Sequence, residues 1–161
     1  MMQDEQLKPV LERLLATRRT KVEETQGGTR RGLRVLFTGH NGRNKLLAAQ
    51  LFANELAVDL FEIDLHRLVS KYIGDTEKNL DALFKAATES DAVLLFDDTD
   101  QLFNQPENIE ESGRFPNLNV AQLRKRLEKY DGVVMLGAPD REHIDPKLAR
   151  QCDEVVELAD D

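Results

Sequence analysis

Leu33-Arg34-Val35-Leu36-Phe37-Thr38-Gly39-His40-Asn41-Gly42-Arg43-Asn44-Lys45-Leu46 is the stretch on which the fold turns. A short, mostly apolar run that ends at a glycine reads as a buried strand over Leu33 to Thr38, and the polar loop after it leads into a helix from about Lys45 to Leu56. The same alternation continues downstream: a strand at Leu60 to Asp64, a helix at Thr76 to Thr88 and a strand at Ala92 to Phe96. Leu80, Leu83, Phe84 and Ala87 set the phase of the second helix, and Asp75 or Thr76 is placed to cap it. After a polar loop from Asn104 to Asn119, Val120, Leu123, Leu127 and Tyr130 mark another helix, and Val133 to Leu136 and Val155 to Leu158 supply two further strands. Strands alternating with helices predict an α/β chain of βαβ units with five strands in a parallel sheet. Upstream, Leu7, Val10, Leu11, Leu14 and Leu15 recur at helical spacing, so an amphipathic helix is predicted from about Gln6 to Thr17 or somewhat beyond. Thr25-Gln26-Gly27-Gly28-Thr29 breaks it, which divides the chain into a helix and linker over 1–30 and a single core domain over 31–161.

The loop after the first strand bears comparison with the phosphate-binding pattern G-x-x-x-x-G-K-[ST]. In that pattern backbone N–H groups curl around phosphate, the lysine reaches the β and γ phosphates, and the hydroxyl binds Mg²⁺. Gly39 and Lys45 fit it, with Gly42 between them. Asn44 stands in place of the second glycine; asparagine tolerates the left-handed conformation, so the loop can still close. Leu46 is the larger change, because it carries no oxygen for a metal. Lys45, Arg43 and the amino-terminal end of the helix retain the means to hold an anion.

The apolar strand Val93 to Phe96 delivers Asp97-Asp98-Thr99-Asp100 to its carboxyl end, where an open α/β sheet places its ligands. Asp97 can bind Mg²⁺ through water. Asp98 stands where a glutamate would polarise an attacking water, and it is shorter by one methylene, roughly 1.5 Å. A misplacement of about 1 Å costs on the order of a hundredfold in rate. Taken alone, the acids equally suit a solvated strand end.

The totals limit what else the chain can be. Its 161 residues, 40% hydrophobic and 32% charged, suffice for one core and not for two. No apolar run approaches the roughly 18 residues of a membrane span, and Met1-Met2-Gln3-Asp4-Glu5 is acidic where a secretory signal is basic. Cys152 is the single cysteine, so no internal disulfide forms and a cytoplasmic location is expected. A net charge of −8 and a pI near 5.0 oppose nucleic-acid binding. The basic clusters Arg18-Arg19-Lys21, Arg30-Arg31-Arg34 and Arg124-Lys125-Arg126 read as solvated faces. His40, His66 and His143 have no partner at metal-ligand spacing, and Cys152 reads as a buried, inert thiol.

Ser70-Lys71-Tyr72-Ile73-Gly74-Asp75-Thr76-Glu77-Lys78-Asn79-Leu80 closely resembles the first pore loop and following helix of the AAA+ ATPases. Leu94 to Phe103, Gly132 to Leu136 and Ile144 to Leu148 resemble the same family in the same order, and together the matches cover Arg31 to about Leu158. The resemblance implies the large α/β subdomain of the classical AAA clade. That is a three-layer αβα sandwich of the phosphate-loop type, with strand order 5-1-4-3-2, working in rings that remodel a protein substrate.

By the same resemblance, Tyr72 and Ile73 contact a substrate or partner, Asp97 holds Mg²⁺ and Asp98 is the catalytic residue that polarises the attacking water. Arg150 is an arginine finger, whereas Gln151 replaces the second. Pro139 falls where the sensor-1 residue carries a polar side chain, and no helical lid follows the fifth strand. A hydrogen bond to a charged group is worth roughly 1.5–3 kcal/mol, so these losses together predict ATP or ADP binding that is weak at most, with little hydrolysis. Three readings follow. The first is a non-hydrolysing binding or scaffolding module that docks on an active AAA+ subunit or its substrate. The second is a slow ATPase using Lys45, Asp97 and Asp98. The third is a nucleotide sensor without turnover.

Overall fold

A computed structural model describes residues 4–24, 32–64, 75–96, 120–140, 142 and 146–158. Along the chain these form α1 (Asp4–Glu24), β1 (Leu33–Thr38), α2 (Gly42–Leu56), β2 (Leu60–Ile63), α3 (Asp75–Ser90), β3 (Val93–Phe96), α4 (Val120–Lys129), β4 (Val133–Ala138), α5 (Pro146–Gln151) and β5 (Glu154–Glu157). The five strands make one sheet in the order β2-β3-β4-β1-β5, with every neighbouring pair parallel. Read from the other edge this is 5-1-4-3-2, the order expected from the sequence.

Both faces of the sheet are covered, because alternate residues of each strand point to opposite sides. Leu33, Val35, Phe37, Val93, Leu95 and Met135 face α1 and α2, where they meet Leu7, Leu14, Ala49 and Phe52. Leu36, Leu94, Phe96, Val134 and Leu136 face α3 and α4, where they meet Leu80, Phe84, Leu123 and Leu127. Burial on both faces explains why β1, β3 and β4 read as nearly unbroken apolar runs, as strands inside a parallel sheet do.

The structure corrects several expectations. Helix α1 extends a further seven residues past Thr17, through a polar segment without apolar periodicity. Lys21 in that segment reaches Asp153 at 2.7 Å, and in the turns just before it Thr17 donates to Glu154 at 2.6 Å and Arg13 pairs with Glu154 at 2.5 Å. Asp75 opens α3, and Thr76, in its first turn, is 1% exposed. The short α5 was not expected; Pro146 opens it, the position where a missing N–H costs nothing.

Arg34 departs furthest from its reading as a solvated charge, being only 6% exposed. Its guanidinium donates to the carbonyls of Leu33, Gly132, Glu128 and Tyr130 at 3.2, 3.1, 3.3 and 2.6 Å, and also to that of Leu127. Three of these carbonyls belong to the carboxyl-terminal end of α4 and the residue just after it. There a cation offsets both the orphaned acceptors and the negative end of the helix dipole. Nor is Arg126 merely solvated: it pairs with Glu77 and Asp81 of α3 and lies over the Phe84 ring.

Candidate functional site

The junction of β1 and α2 lies at the carboxyl edge of the sheet, the edge at which open α/β folds bind ligands. Gly39 ends the strand with φ 144°, a conformation that side chains resist, and its N–H is shared between the carbonyls of Ala138 and Pro139 at 3.0 and 3.1 Å. Pro139 is therefore placed beside the start of the loop, where it contributes a carbonyl. Thr38, next to Gly39, is 2% exposed, and its hydroxyl has no hydrogen-bond partner.

Helix α2 begins at Gly42, three residues earlier than expected. Asn41 is its cap, with extended backbone, and its side-chain oxygen accepts the N–H groups of Arg43 at 2.9 Å and Asn44 at 3.3 Å. An asparagine immediately before a helix is a recognised start signal. The consequence is a correction for Asn44, which lies in the first turn of α2 and not in a left-handed loop. Among the described residues only Ala57 and Asp91, besides Gly39, have positive φ. Asn44 is fully buried.

Lys45 is 4% exposed and is engaged in an interaction within the fold. Leu46 is half-buried and packs against the core cluster shared by α1 and α2. Gly42 and Arg43 are exposed. Thus Gly39, Gly42, Arg43, Asn44, Lys45 and Leu46 are contiguous at one helix start, but the N–H groups of Arg43 and Asn44 already have an acceptor from the chain itself.

The position that would offer a hydroxyl to Mg²⁺ carries Leu46, turned to apolar packing, and no group of three or more His, Cys, Asp or Glu suited to a metal occurs among the described residues. Asp97 and Asp98, which follow β3 in the sequence, lie outside the described residues, as do Tyr72 and Ile73. Arg150 and Gln151 end α5 and are exposed. His40 is exposed, while His66 and His143 lie outside the description. Cys152 is half-buried against the α3–α4 side of the core, and burial pushes its thiol up to about 11. At neutral pH it is a thiol and not the thiolate that reacts. No described helix is long and apolar enough to cross a membrane.

Sheet order, covered faces and a strand–loop–helix unit at the carboxyl edge define the phosphate-loop nucleoside triphosphatase class of α/β fold. Residues 35–160 match the model of the ATPase family associated with various cellular activities (AAA), and the chain belongs to that family. It is similar to an uncharacterised AAA family ATPase of Sinorhizobium fredii, 40% identical over 80 residues that make up 50% of this chain and 24% of the relative. It is also similar to Protein CdcH of Halobacterium salinarum, 31% identical over 121 residues, 72% of this chain and 16% of that protein. Peroxisomal ATPase PEX6 of Saccharomyces cerevisiae is 31% identical over 112 residues, 66% of this chain and 11% of its own length. The chain thus spans less than a quarter of the length of these curated relatives. Membership of the family implies a nucleotide-binding fold.

Proposed function

We propose that this domain keeps the AAA fold without its reaction and acts as a non-hydrolysing protein-binding or scaffolding module, with at most weak affinity for ATP or ADP. The observation that carries the reading is the cap on α2: Asn41 accepts the N–H groups of Arg43 and Asn44, donors that a phosphate would otherwise use. Leu46 in the core and Pro139 at the sensor position remove further groups that hydrolysis requires. The partner is a protein, either an active AAA+ subunit or its substrate, met through Tyr72 and Ile73. Neither nucleic acid nor a membrane is among the proposed partners, and the proposed location is the cytoplasm.

The test is a thermal melt across a range of ATP and ADP concentrations, with and without Mg²⁺, beside a phosphate-release assay on the same sample. A ligand that binds the folded state raises its stability by RT ln(1 + [L]/Kd). No shift and no phosphate are expected. A shift without phosphate would make the domain a nucleotide sensor. Retention of Lys45 at the motif position favours a second reading, a slow ATPase in which Lys45 holds phosphate, Asp97 the metal, Asp98 the water and Arg150 a neighbouring subunit's phosphate. Turnover that Lys45→Ala abolishes would establish that reading and overturn the first.

A further inference from the structure

We draw no further inference here: the strongest candidate, the buried and unpartnered Thr38 hydroxyl at the carboxyl end of β1 beside Gly39, belongs to the β1–α2 site already described.

Discussion

Asn41 decides the character of the loop through a single oxygen. Its cap bonds stabilise α2 and at the same time occupy two donors at the amino-terminal end of the helix. Asn41→Ala is expected to cost about 1 kcal/mol in a urea titration, the usual value of a lost cap. Asn41→Gly, which keeps a tolerated cap residue but frees the two N–H groups, is expected to cost only a few tenths of a kcal/mol and to raise affinity for inorganic phosphate or ADP, measured by melting shift. No gain in anion binding would overturn the proposal that the cap competes with phosphate. Ala57 illustrates the opposite economy of the backbone: it closes α2 in the left-handed conformation (φ 54°), which costs an L-residue roughly 1 kcal/mol or more. Ala57→Gly is therefore expected to raise stability by about 0.5–1 kcal/mol, read from the same titration.

Among the elements, α4 and the turn after it depend most on polar contacts at a helix end. Arg34 collects its terminal carbonyls from within the sheet, and Tyr130 donates its hydroxyl to the carbonyls of Ala87 and Ala92 while its ring meets Phe84 edge-on. Arg34→Met keeps the aliphatic bulk and removes the donors, so it is expected to lower stability by on the order of 3 kcal/mol in denaturant unfolding. Burial, reinforced by the charge of Asp91, pushes the Tyr130 phenol up to about 12 from 10.0, and burial, reinforced by Asp153, pushes Cys152 up to about 11 from 9.0. Each folded group binds its proton more tightly than the unfolded chain does. The contribution of Tyr130 is therefore complete below pH 10.0 and lost as pH rises through about 12, and that of Cys152 is complete below pH 9.0 and lost as pH rises through about 11. Stability measured against pH is expected to fall on this alkaline side. Tyr130→Phe should remove the upper part of the fall and leave the part due to Cys152.

For the molecule as a whole, α1 closes one layer of the sandwich. Leu7 and Leu14 are buried on the sheet face shared with α2, and polar contacts tie the second half of the helix to the start of β5. Asp153 is a shared acceptor: it takes Lys21 from α1 and the N–H of Arg34 at 2.8 Å, so helix, central strand and edge strand meet at one carboxylate. Leu14→Ala is expected to cost about 2–5 kcal/mol, the range for an emptied core position. Residues 31–161 expressed without α1 are expected to expose the Val35 and Phe37 face and to aggregate or bind a hydrophobic dye. A fully cooperative, soluble fragment would show instead that the core domain folds without its first helix.

The layered sheet was legible in the sequence because apolar runs of strand length and helical periodicity report burial directly, and burial on both faces is what a parallel sheet demands. Gly39 was legible for a similar reason: the strand must end where only a glycine tolerates the backbone. Other features arise from partners distant in the chain. The polar end of α1 is held by Asp153 and Glu154, more than a hundred residues away. Arg34 looked like a surface charge because nothing adjacent to it reveals that the end of α4 will be folded over it. Whether Asn44 would bend a loop or continue a helix depended on Asn41 and on the packing of Leu46. Local sequence determined which segments bury themselves; the tertiary structure decided which polar groups found partners, because hydrogen bonds and ion pairs depend on short distances that only the folded chain creates.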